Sequence, residues 1–174
     1  MKKKIIFPDI DGVLNTERHY EYCYKKGTAP DEKFGYPFDP VAVANLKKII
    51  DETSAVIVIS SSWKFWGLST MIDMWKMRNL PGKVISVTPQ AMSDEILLNA
   101  DLTEMGILPL KGSEINGWLS EHRRSVAQYA ILDDVNDMRP EQQSHFVQIN
   151  PVVGITEQDS GKVITILNDT IAEV

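Results

Sequence analysis

The stretch AVIVISSSW, residues 55–63, decides the fold. Its first five residues, Ala55, Val56, Ile57, Val58 and Ile59, run without a polar break. A strand wetted on one face would alternate apolar and polar residues. An unbroken β-branched run fits a strand buried on both faces, inside a parallel sheet covered by helices. The run stops at Ser60, Ser61 and Ser62, followed by Trp63 and Lys64. A buried strand thus delivers hydroxyls to one rim of the sheet.

Working outward, the chain reads as strands alternating with helices. Upstream, Asp39-Pro40 has the form of an N-cap followed by proline at the first helical position, and Val43, Leu46 and Ile50 recur at helical spacing. Before that, residues 16–38 read as a short irregular insert rich in Tyr, Lys and Gly, and Ile5 to Asp9 reads as the first strand. Downstream, Phe65, Leu68, Ile72 and Trp75 share a predicted helical face, ended by Pro81-Gly82. Lys83 to Val87 is a third strand. Thr88 to Leu110 holds at most one short predicted helix. Ile115, Trp118 and Leu119 form a helical stripe before a strand at Tyr129 to Leu132, and Phe146 to Ile149 is the fifth strand. Thr156 to Asp159 resembles a capping box opening a last helix, with Val163, Ile164, Leu167 and Ile171 facing inward. The expectation is one doubly wound, Rossmann-like α/β domain over residues 1–174, with about five parallel strands and helices on both faces.

Composition agrees and narrows the function. At 174 residues, 43% hydrophobic and 24% charged, the chain is an ordinary globular domain. No apolar run is long enough to span a bilayer, and the stretch after Lys2-Lys3-Lys4 is too short for a signal-peptide core, so a cytoplasmic protein is expected. Cys23 is the single cysteine, so neither an intrachain disulfide nor a thiolate cluster within one chain is available, and no disulfide-linked partner is expected. A net charge of -6 argues against a protein that coats nucleic acid, while leaving room for a local basic site.

The chemistry lies at the strand ends. FPDIDGVLN, residues 7–15, sets Asp9 and Asp11 on either side of Ile10 and directly before Gly12. The second strand ends in the three serines, and the fourth in Asp133-Asp134, with Asn136-Asp137 just after. In doubly wound sheets, ligands bind beyond the carboxyl ends of the strands, near the point where strand order reverses. Acids meeting there repel each other unless a cation lies between them, and hard oxygen ligands point to Mg²⁺. Carboxylate-held Mg²⁺ with open positions most often meets phosphate oxygens, and Lys111, sitting before a predicted helix, adds a second positive charge. Asp137 and Asp31 are read as caps of the following turn or helix. Trp75 and Trp118 are read as packing residues, and the three histidines as structural or solvated.

DIDGVLN, VISSSWK, KGSEINGWL and ILDDVND, in that order and spread over nearly the whole chain, resemble the motifs of the haloacid dehalogenase (HAD) superfamily in its phosphatase branch. They are most similar to the small phosphatase domains of nucleic-acid repair proteins. The resemblance implies Asp9 as nucleophile and Asp11 as general acid and then base, its backbone carbonyl facing the metal. It implies Ser60 as phosphoryl ligand, with Ser61 as the alternative, and Lys111 as the group that neutralises developing charge. For the metal it implies Asp9, Asp11 and Asp134, with Asp133 behind Asp134 or paired with Lys111. Gly12, Ser61, Trp63, Lys64 and Arg18 are the expected substrate contacts. A dehalogenase is disfavoured, since a departing halide needs no proton from Asp11.

Both intervals where larger members of the superfamily carry a cap are short here, which implies an open site suited to a nucleic-acid end or nucleotide. ERHYEYCYKK, residues 17–26, offers Arg18, three tyrosines and two lysines for stacking and phosphate contacts, and reads equally as an exposed amphipathic turn. A small metabolite, a phosphoprotein, or a non-catalytic binding module are the alternatives. Pro8, beside the expected nucleophile, is the one hint of weakened catalysis, because it forfeits a ladder hydrogen bond and favours a local bulge.

Overall fold

The computed structural model describes residues 2–90 and 110–169. Five strands form one all-parallel sheet: β1 (Lys3–Pro8), β2 (Val56–Ile59), β3 (Val84–Val87), β4 (Val126–Asp133) and β5 (Phe146–Gln148), in the order β3-β2-β1-β4-β5. The order reverses between β1 and β4, the neighbours that carry Asp9 and Asp133-Asp134 at their ends. The expected α/β architecture is thus observed, and the expected second strand is buried on both faces.

Among the described residues five helices accompany the sheet: α1 (Glu17–Lys26), α2 (Pro40–Thr53), α3 (Leu68–Met77), α4 (Leu110–His122) and α5 (Glu157–Asn168). One face packs Ile6, Ile57, Ile59, Ala130 and Leu132 against Leu46 and Ile49 of α2, Met71 and Trp75 of α3, and Val163 and Leu167 of α5. The other packs Ile5, Phe7, Val58 and Ile131 against Ile115 and Trp118 of α4. Each large side chain buried this way contributes about 1.5–3 kcal/mol relative to exposure. Among the described residues, no helix is long and apolar enough to cross a membrane.

Local signals explain most boundaries. Asp39 caps α2 by accepting from Val41 N at 2.9 Å. Thr156 and Asp159 form the expected capping box of α5, each side chain accepting from the other's backbone N–H. The expectations at Ile171 and within residues 91–109 lie outside the described residues.

Four expectations change. Residues 17–26 are not irregular: Thr16 caps α1 through His19 N, Glu17 sits in the first turn, Lys25 and Lys26 in the last, and Gly27 ends it at φ 67°. These groups complement the helix ends although only Cys23 is buried. Phe65 does not share the α3 face. It belongs to a separate 3-10 turn, Ser62–Trp66, and is 62% exposed. Lys111 lies inside the first turn of α4 rather than before it. Finally, Pro8 causes no bulge, since β1 stays in register with β4 through Pro8 and Leu132. The Pro8 carbonyl accepts from Ser60 N at 3.0 Å, so its imide nitrogen faces β2, where the paired register ends at Ile6. The missing donor shortens that ladder and leaves the Asp9-bearing end tied to β4.

Candidate active site

The end of β1 is held firmly. Asp9 N donates to Leu132 O at 2.8 Å, extending the ladder one residue beyond Pro8, and Ile10 N donates to Asp9 Oδ1 at 2.6 Å. The other oxygen, Oδ2, accepts from Lys111 Nζ at 2.5 Å. The same ammonium lies 2.6 Å from Asp133 Oδ2, so one lysine bridges the acids that end β1 and β4. Burial opposes the Lys111 charge, but the two carboxylates outweigh it and hold its pKa above the ordinary lysine value. Asp133 is fully buried. Burial pushes its carboxyl up to about 7, with the Lys111 charge pulling the other way and the Asp9 charge adding to the push.

Lys111 is placed by a seat beyond β4. Its backbone N donates to Asp137 Oδ2 at 3.0 Å, and Gly112 N donates to Asp137 O at 2.9 Å. Gln142 Nε2 donates to Gly112 O at 2.9 Å. A side chain at Gly112 would lie 2.6 Å from Gln142 Oε1 and 2.8 Å from Arg139 N, so this contact admits none. Asp137 is therefore a capping acid of α4, upstream of it, rather than of the following turn or helix as expected, whereas Asp31 caps the turn that follows it, its Oδ1 accepting from Lys33 and Phe34 N.

Asp134 turns the other way, into an open cavity of about 670 Å³ whose walls include Asp9, Asp11, Gly12, Ser62 and Pro151. One carboxylate oxygen each from Asp9, Asp133 and Asp134 lies within 4.8 Å of the others. Gly12 makes this possible. Its φ is +76°, and a Cβ there would stand 2.7 Å from Asp134 Cγ and Oδ2. Asp11 is exposed in the same turn, where Asn15 Nδ2 donates to its Oδ1 at 2.8 Å and Trp63 Nε1 to its Oδ2 at 2.9 Å.

Ser60, one residue past β2, is buried, and its hydroxyl has no hydrogen-bond partner among the described residues. Ser61 caps the 3-10 turn by accepting from Trp63 N. Of the expected substrate contacts Gly12 lines the cavity, whereas Ser61, Arg18, Lys64 and Trp63 are not among its walls. Arg18 pairs with Asp39 at 3.3 Å and lines a different cavity, of about 600 Å³, because its position on α1 points it toward α2. Lys64 is only 7% exposed, pairs with Glu114, and donates to Thr88 Oγ1 and Pro89 O. Burial lowers its pKa despite Glu114. Trp63 presents its N–H to Asp11 rather than a free face to the cavity.

Sequence reasoning did not single out Glu17 and Glu21, which line the cavity with Tyr20. Spacing of three and four residues was the available signal, and it became legible only once α1 was recognised as a helix.

A family model, described as the HAD domain in Swiss Army Knife RNA repair proteins, matches residues 5–160. No curated protein and no solved structure shows significant similarity to the chain.

Proposed function

The chain belongs to the family of HAD domains found in Swiss Army Knife RNA repair proteins, which implies phosphatase-type hydrolase activity, and from that premise we propose a Mg²⁺-dependent phosphomonoesterase acting on a polynucleotide end or nucleotide. The observation that carries the reading is the convergence of Asp9, Lys111, Asp133 and Asp134 beyond β1 and β4, at the reversal of strand order.

The donor set fits a hard divalent cation: carboxylates clustered within 4.8 Å and no sulfur. Asp9 and Asp134 would hold it, with the Asp11 carbonyl, while Asp133 stays with Lys111. Mg²⁺ would supply a Lewis acid that withdraws charge from the phosphoryl oxygens. In the first step an Asp9 oxygen attacks phosphorus, the bond to the leaving oxygen breaks, and Asp11 gives that oxygen a proton. In the second step Asp11 takes a proton from water, the water oxygen attacks phosphorus, and the bond to Asp9 breaks, releasing phosphate. Ser60, whose hydroxyl has no partner among the described residues, donates to a phosphoryl oxygen, and Lys111 faces the charge that develops there. A cytoplasmic location goes with this reading.

One observation favours the smaller-substrate alternative. The cavity wall carries Glu17 and Glu21 near Asp11, which repel a polyanion approaching from that side. The test is phosphate release with Mg²⁺ across oligonucleotide 3′- and 5′-phosphates, nucleotides, sugar phosphates and phosphopeptides. Release from nucleic-acid ends or nucleotides is expected, lost in EDTA and in Asp9→Asn. Turnover surviving either change removes the metal or the nucleophile from the scheme.

A further inference from the structure

We propose that Trp63 is a positioning residue, whose indole N–H holds the Asp11 carboxylate in the orientation from which it exchanges protons with the substrate. The inference rests on the reading of Asp11 as acid and base. Asp11 is exposed on a turn, where an untethered carboxylate samples several rotamers. Its two tethers differ in origin. Asn15 closes the same turn, whereas Trp63 reaches in from the 3-10 turn after β2. An indole N–H only donates, so Trp63 orients the carboxylate without competing for the proton.

The ring has little freedom of its own. Phe34 lies nearly parallel to it at 6.4 Å, and Phe38 and Trp66 pack at 5.7 and 5.2 Å. The Arg78 guanidinium sits 4.2 Å from the Phe38 ring centre and 6.0 Å from that of Trp63, and its Nη2 donates to Phe34 O at 2.7 Å, tying the loop of residues 31–38 to the end of α3. The backbone is fixed on both sides: Ser61 Oγ accepts from Trp63 N, and Lys64 is buried against Glu114. A donor this constrained gives Asp11 one geometry in advance of substrate, which is what proton transfer over hydrogen-bond distance requires. The arrangement also explains a tryptophan here rather than any large ring, because only its edge carries a donor at that reach.

Trp63→Phe keeps a ring against Phe34, Phe38 and Trp66 and deletes the N–H. Its kcat and KM are measured with Mg²⁺ on an alkyl and an aryl phosphomonoester, beside Asp11→Asn. On the alkyl ester, kcat falls roughly ten- to a hundredfold, the range for one hydrogen bond to a charged group, with KM unchanged. On the aryl ester, whose leaving group needs no proton, the first step survives and the second slows, seen as a burst of aryl alcohol. A first step slowed on the aryl ester as much as on the alkyl ester, with no burst, in a folded variant overturns the proposal in favour of a packing role, and a rise in KM alone makes the ring a substrate contact. Trp63→Tyr, which displaces the donor, is a second variant judged the same way should Trp63→Phe melt too low. An Asp11→Asn enzyme that fails to discriminate between the esters overturns the acid and base reading itself, and the inference with it.

Discussion

Replacing Gly12 by alanine separates two costs that the structure locates in one residue. The first is conformational. At φ +76° an L side chain is strained by about 1–2 kcal/mol. For a domain of this size, each kcal/mol corresponds to about 2–4 °C, so the melting temperature should fall by about 2–8 °C. The second is steric and local. A Cβ at 2.7 Å from Asp134 Cγ and Oδ2 is closer than real contacts allow, so the Asp134 carboxylate must move. If Asp134 holds Mg²⁺, that displacement should weaken metal affinity about 10- to 100-fold, the loss typical of a disturbed metal surround. Thermal melting with and without Mg²⁺, paired with Mg²⁺ titration of aryl phosphate turnover, reads both. The variant should melt lower, gain less from Mg²⁺, and need more Mg²⁺ for half-maximal rate. A lower melting temperature with an unchanged Mg²⁺ requirement would keep the turn argument and refute the role of Asp134. No change in either would refute both.

His145 gives a pH test away from the site. It stacks on Tyr129 and its Nδ1 meets the Tyr129 carbonyl at 3.1 Å, and burial lowers its pKa below the ordinary 6.5 despite that hydrogen bond. The unfolded chain therefore takes up a proton near 6.5 that the folded chain resists. Asp133, held above its ordinary value, works in the opposite sense over the same range, so the check is a difference: the protein should lose stability relative to His145→Gln in melting curves as pH falls through about 6.5. Lys25→Gln with Lys26→Gln frees Glu21 from its 2.9 Å pair and makes the cavity wall more negative. Oligonucleotide kcat/KM at low salt should fall by no more than about fivefold, as for exposed ion pairs, with aryl phosphate turnover unaffected. Equal effects on both substrates would remove α1 from substrate binding.

What the sequence made legible followed from signals carried within a few residues. The apolar run 55–59 gave a buried parallel strand, Asp39-Pro40 a helix start, and Thr156 with Asp159 a capping box, all observed. Strand-end acids could be ranked because the topology rule needs only their order. Contacts over long separation could not. Lys64 and Trp63 looked like substrate contacts because the partner of Lys64, Glu114, lies fifty positions on and the tie of Trp63 to Asp11 spans 52. Helix α1 escaped for another reason. Only Cys23 is buried, so the apolar stripe that normally reveals a helix is absent, and the caps at Thr16 and Gly27 are the remaining signal.

The seat of α4 bears on how the site could be rebuilt elsewhere. Asp133, Asp134, the Asp137 that receives Lys111 N, and the Gln142 that locks Gly112 all come from one stretch of ten residues. That stretch acts as a jig: it carries two of the charges and also fixes the spacing of the third. The distance from Lys111 to the acids is thereby uncoupled from the length of chain joining β3 to α4. Grafting residues 133–142 together with 110–115 onto another parallel sheet should transfer the charge spacing intact, whereas either segment alone should leave the ammonium without a fixed address.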